Sequence, residues 1–170
     1  MFIIVGGVVE FDFSRLLKIT DELCQEEVLD PQNTKAQIGH CQYVPKNYDS
    51  YRFADGEQFH NDIKNADAII THGGIGTLIY ALKEEKKVIV FPRLKKYQEH
   101  LDDHQIDICL AFKDAGYVQM ATSKEELAEC IAHINEFTPK KFVTDNSKMV
   151  KILMDYIENI SGINGKESNK

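Results

Sequence analysis

The residues with most chemistry to offer stand in three short runs. The first is His72-Gly73-Gly74-Ile75-Gly76-Thr77, directly after an apolar stretch. Glycines let backbone amides approach a ligand, and Thr77 opens a helical pattern whose positive end favours an anion. A diphosphate fits that description, with a plain glycine turn between strand and helix as the competing reading. The run has neither the GKS or GKT of a Walker loop nor the GxGxxG of a first strand–helix turn. The second run, PRLKKYQEHLDDHQ at 92–105, crowds Arg93, Glu99, His100, Asp103, His104 and Gln105 into a loop and helix start. Carboxylates, imidazoles and carboxamides exchange hydrogen bonds with vicinal hydroxyls, so Asp103, His104 and Gln105 suit a sugar. Arg93 has the fork geometry for a phosphate. A solvated helix start, with acids in its first turn, would account for Glu99, Asp102 and Asp103 without any ligand. The third run is Gly6-Gly7, closing the apolar residues 2–5.

Other residues offer less. His100, Asp102 and His104 have the spacing of one helical face, which invites a metal, but no HExxH accompanies them and no metal is expected. Cys24, Cys41, Cys109 and Cys130 form no CxxC pair and read as reduced, small packing residues.

The elements that must position these runs follow from periodicity. Apolar runs predict strands at 2–5, 36–41, 51–54, 66–71, 87–91 and 117–120, and helical spacing predicts helices at 14–27, 56–65, 77–85 and 102–115. Ser14 or Asp12 is the expected cap of the first helix, and Ser123 with its following acids opens another. Met149, Ile152, Leu153, Tyr156 and Ile160 predict a terminal helix over 146–160. Residues 1–161 then make one domain and 162–170 a small polar tail. Short continuous strands alternating with helices argue for an α/β, Rossmann-like parallel sheet with helices on both faces. Ligands of such sheets bind beyond the carboxyl ends of the strands, which gathers all three runs at one edge.

A chain of 170 residues has room for one such domain, and its ordinary globular composition excludes a wholly disordered or disulfide-stapled class. The formal charge of −7 argues against nucleic acid as a partner. The start has no cationic leader, and no stretch approaches the ~20 apolar residues of a membrane span, so a cytoplasmic protein is expected.

Taken together, ADAIITHGGIGTLIYAL and KKVIVFPRLKKYQEHLDDHQ resemble the C-terminal domain of family 28 glycosyltransferases. Within it, the chain looks like the short single-domain subunit of eukaryotic dolichol-linked N-acetylglucosaminyltransferase and of bacterial capsule and exopolysaccharide galactosyltransferases. The resemblance runs over residues 2–135 and is strongest from 67 to 105. It implies the donor-binding, C-terminal half of a GT-B enzyme, which takes a UDP-sugar as donor substrate and needs no further cofactor. It also implies a separate, membrane-anchored, acceptor-binding subunit at the cytoplasmic membrane face, a lipid-linked saccharide acceptor, and inversion at the anomeric carbon. Size points the same way, since a complete GT-B transferase has two such domains.

By resemblance, Gly73, Gly74, Gly76 and Thr77 face the donor diphosphate, and His104 with Gln105 grips the sugar hydroxyls. Glu99, His100 and Asp103 stand in second rank, and Gly6, Gly7, His72 and Arg93 complete the donor-binding set. The catalytic base has no assignment. The sequence departs from the family where Phe13-Ser14-Arg15-Leu16 replaces Phe-Asp-Arg-Leu, and where Tyr80 takes the place of a ribose-binding glutamate. Two other functions stay open: a non-catalytic enhancer of another transferase, and a nucleotide-sugar epimerase or hydrolase.

Overall fold

A computed structural model describes residues 1–7 and 10–142; the expected terminal helix at 146–160 and the tail at 162–170 lie outside the described residues. Six strands, β1 (Phe2–Ile4), β2 (Lys35–Gln37), β3 (Asp49–Tyr51), β4 (Ala68–Thr71), β5 (Lys87–Val90) and β6 (Gln119–Met120), pair in the order β3-β2-β1-β4-β5-β6. Every pairing is parallel, as short unbroken apolar strands require when both faces are covered. The chain builds outward from β1 to β3, then returns to lay β4 against β1, with Ile3 opposite Ile70. The topological switch point therefore lies between β1 and β4.

Helices α1 (Ser14–Gln25), α2 (Gly56–Asn65), α3 (Ile75–Lys83), α4 (His104–Asp114) and α5 (Lys124–Ala132) cover the sheet. Strand side chains alternate between two cores. Ile3, Ile70 and Ile89 pack with Leu16, Leu17 and Leu127 of α1 and α5. On the other face Phe2, Ile4, Ile69, Val88 and Val90 meet Ile63, Leu78, Ala81, Ile108 and Phe112 of α2, α3 and α4. Burying such side chains stabilises the fold by roughly 1.5–3 kcal/mol each before entropy is charged against it.

Several boundaries move from their expected places. The predicted strand at 36–41 ends at Gln37, because Gly39 turns the chain at φ +54° and its amide crosses to Arg52 O at 2.9 Å. The strand predicted at 51–54 lies at Asp49–Tyr51, set by the pairing of Ala36 with Ser50 and by buried Tyr48, whose hydroxyl meets Thr20 Oγ1 at 2.7 Å. Helix α3 starts two residues before the expected 77, so Gly74 is its N-cap and Gly76 stands inside its first turn. No helix among the described residues is long and apolar enough to cross a membrane.

Candidate functional site

The loops after β1 and β4 meet at the switch point, and His72 fills the space between them. Gly6 has φ +80°, and a Cβ there would lie 2.7 Å from His72 Cε1. On the other side a Cβ on Gly74 would lie 2.6 Å from His72 Nε2. Gly73, at φ +87°, is pressed against α4, where a Cβ would come within 2.4 Å of Cys109 Sγ. These three positions exclude any side chain, since real Cβ atoms do not approach so closely. Burial, reinforced by the positive charge of Arg93, lowers the His72 pKa to about 4, so the ring is neutral at ordinary pH. Gly76 differs from the other three. It is exposed, with open space where its side chain would be. Gly7 is exposed beside Phe53, and Thr77 is half-buried on the third residue of α3.

The first turn of α3 is the feature these glycines frame. Elsewhere a side chain takes an amide at the helix start. Asp12 accepts from Ser14 N in α1, Asp55 from Gln58 N in α2, Asp102 from His104 N in α4, and Ser123 from Glu126 N in α5. The N-cap residues of α1 and α4 make no side-chain bond themselves, but at α3 no described side chain takes a first-turn amide at all, and its first turn, like that of α1, carries no acid. Its amides and positive end thus face outward past Gly76, the arrangement that receives an anion.

The β5–α4 loop is held from several directions. Glu99 is 2 % exposed and takes a two-pronged bond from Arg15, Nε to Oε1 at 2.8 Å and an amino nitrogen to Oε2 at 2.7 Å. It also accepts from Leu94 N at 3.0 Å, so this carboxylate fastens the loop to α1 instead of presenting itself to a ligand. Arg93 is likewise turned inward: it is 2 % exposed and donates to Val5 O at 2.6 Å, with its guanidinium over Phe13. Its fork is engaged with the end of β1, contrary to the expectation of an available phosphate clamp. Gln105 Oε1 accepts from Arg93 N at 2.8 Å while its stem lies beside Gly73, and Asp103 Oδ1 accepts from Lys95 N at 2.8 Å.

The histidines of this loop share Asp102. His100 Nδ1 is 3.1 Å from Asp102 Oδ1, and His104 Nε2 is 4.0 Å from Oδ2. Because α4 begins at His104, His100 precedes the helix and the common helical face suggested by their spacing does not form. His100 stacks on Phe11, ring centroids 5.9 Å apart, which joins this loop to the β1–α1 connection. A recess of about 530 Å³ opens between the same two segments, lined by Glu10, Asp12, Arg15, Tyr97 and Gln98. The structure thus brings Gly6, His72, Gly73, Gly74 and Gln105 together directly, with His100 on the adjoining loop and His104 at the first position of α4.

Sequence reasoning missed Arg15, whose guanidinium lies 4.6 Å from the Phe91 ring and 4.5 Å from that of Tyr97. Its signal was the departure at Phe13-Ser14-Arg15-Leu16, where the arginine is kept. It also missed the ring pair of Tyr80 and His60, stacked at 4.3 Å and 17° between α3 and α2.

Comparison with known proteins adds the following. Residues 3–160 match the glycosyltransferase family 28 C-terminal domain. The chain is similar to the solution NMR structure of ALG13, at 19 % identity and TM-score 0.60, over 89 % of this chain and 93 % of that one. It is similar to the glycosyltransferase of kitacinnamycin at 14 % identity and TM-score 0.55, over 92 % of this chain and 38 % of that one. CalG4, the calicheamicin glycosyltransferase, gives 13 % identity and TM-score 0.53, over 99 % of this chain and 43 % of that one. The chain spans about two fifths of the last two. At these identities the likeness is one of fold, and that fold is the Rossmann-like C-terminal half of GT-B enzymes. No curated protein matches the sequence.

Proposed function

The chain belongs to the glycosyltransferase family 28 C-terminal domain family, and from that premise we propose that it is the donor-binding subunit of a UDP-sugar-dependent glycosyltransferase. The observation that carries this reading is α3: of the five described helices, it alone has no side-chain acceptor on a first-turn amide, and it opens at the switch point with an exposed glycine in that turn. The donor diphosphate rests on its first-turn amides, with Gly73 and Gly74 shaping the approach and Thr77 adding a hydroxyl. Fixed amides and the helix end offset the charge that grows on the departing UDP without a bound metal. Asp103 at the start of α4 and His104 and Gln105 in its first turn receive the sugar.

The finer parts of the proposal follow from family and length. The chain spans nearly all of ALG13 and two fifths of the single-chain glycosyltransferases, which supports a second, acceptor-binding subunit that completes the cleft. That partner is membrane-anchored and presents a lipid-linked saccharide at the cytoplasmic face, and transfer of a hexosyl or N-acetylhexosaminyl group inverts the anomeric carbon.

The test is calorimetry with UDP and with inorganic pyrophosphate. Both bind the full chain, and Gly76→Leu weakens both by at least about tenfold without lowering the melting temperature. A Gly76→Leu variant with undiminished affinity removes α3 from the site.

A further inference from the structure

We infer that Arg93 is a buried, fixed cation that stabilises the donor diphosphate through its electric field, without touching it. This inference rests on the donor-binding reading above and adds a charge to the amides which that reading assigns.

The core does not neutralise this charge. Arg93 stands just past the carboxyl end of β5, is 2 % exposed, and forms no ion pair among the described residues. Its guanidinium donates to two carbonyls, Val5 O at 2.6 Å and Phe11 O at 3.5 Å, and lies 5.2 Å from the centre of the Phe13 ring. Its Nε has no partner among the described residues. The acids near enough to feel the charge are held by other groups. Glu99 is paired with Arg15 at 2.7 Å, and Asp12 accepts from Ser14 N, Ser14 Oγ and Gln42 N. Burial pulls the Arg93 pKa below the usual arginine value, yet a guanidinium keeps its proton in a folded protein. A buried cation without a counter-ion costs stability, so packing alone does not account for it.

Its place gives the charge a use. Val5, which receives the guanidinium, leads directly into Gly6. Gly6 and Gly74, the N-cap of α3, both press on the His72 ring, with 2.7 and 2.6 Å from its atoms to where their Cβ atoms would be. After burial itself, the Arg93 charge is the largest influence keeping a proton off that ring. The field of the guanidinium therefore reaches the gap between the glycine loops, where α3 opens with amides that no described side chain takes. The interaction that penalises a cation there favours an anion. Because the group is buried, water and salt screen it little. Lys95 and Lys96, its neighbours in sequence, are exposed, and solvent weakens their field.

The charge is also held in place. Gln105 Oε1 accepts from Arg93 N at 2.8 Å, and the guanidinium is anchored on Val5 O, so backbone and side chain are both fastened. A charge fixed in this way needs no rearrangement when the diphosphate arrives or when more charge grows on UDP as it leaves.

Three measurements test the assignment, with Arg93→Lys keeping the charge and Arg93→Gln removing it. Proton NMR titration of the full, unliganded chain reads the field at His72. Its pKa rises in Arg93→Gln, towards but not up to 6.5, and stays low in Arg93→Lys; equal values in the wild type and Arg93→Gln overturn the inference. Calorimetry compares ligands of different charge. Arg93→Gln weakens inorganic pyrophosphate and UDP by about tenfold or more and UMP by less, while Arg93→Lys keeps most of the affinity; equal losses for UDP and UMP, or equal losses in the two variants, overturn it. The third measurement needs no variant and so holds even where Arg93→Gln fails to fold. In the wild type the Arg93 Nε–H resonance shifts on adding pyrophosphate, and a resonance indifferent to saturating pyrophosphate overturns the inference. A wild-type chain that binds neither UDP nor pyrophosphate defeats the donor-binding reading instead. The two failures are distinguishable because the His72 titration is made without ligand.

Discussion

Replacing His72 with Asn should remove a specific component of the acid sensitivity of this fold. The free imidazole titrates near 6.5, whereas burial between Gly6 and Gly74, with the Arg93 charge nearby, brings His72 down to about 4. Its contribution is therefore complete above pH 6.5 and falls away as pH drops towards 4, because the unfolded chain binds a proton there that the folded chain refuses. Between pH 7 and pH 4.5 the loss works out at about 2 kcal/mol, and it approaches about 3 kcal/mol at still lower pH. The assay is urea unfolding at closely spaced pH values for both proteins. Their absolute stabilities will differ, since Asn fits the gap between the glycines differently; the quantity of interest is the slope. The wild type should lose about 2 kcal/mol more than His72→Asn over that interval. Parallel curves would refute the reasoning, because they would show that His72 charges as easily in the folded protein as in the unfolded one.

Two further predictions use the same loops. Gly74→Ala should destabilise the protein by roughly 1–3 kcal/mol, the cost of forcing a methyl into a filled space, whereas Gly76→Ala should be neutral or stabilising by up to about 1 kcal/mol; thermal melts of the pair settle the contrast. Arg15→Ala leaves the Glu99 carboxylate, 3 % exposed, without its charged partner, and should cost about 3–5 kcal/mol in chemical denaturation.

The sequence was most legible where one local signal sufficed. Helix α2 lies at the expected 56–65 because Asp55, Gly56 and the apolar spacing all speak within one turn. The unbroken apolar run that makes β4 and β5 central strands is equally local. Where a partner lies far along the chain, the signal fails. Glu99 reads as a solvated or ligand-facing acid because Arg15, 84 positions away, cannot be seen beside it. Arg93 reads as a free fork because nothing in PRLKK reveals that Val5 O receives it. The glycine run misleads more subtly. Glycines suggest loop, so α3 was expected to begin at 77, yet Gly76 is helical and Gly73 is required by the sulfur of Cys109.

The bare start of α3 has a consequence for how the protein breathes. Where a side-chain oxygen holds a first-turn amide, a helix opens only by breaking a bond; in α3 no described side chain holds those protons, so its first turn should exchange faster than that of the other described helices. An anion seated there would slow exchange at Ile75, Gly76 and Thr77 before any other site responds, and by mass action would tighten the whole fold in proportion to its concentration.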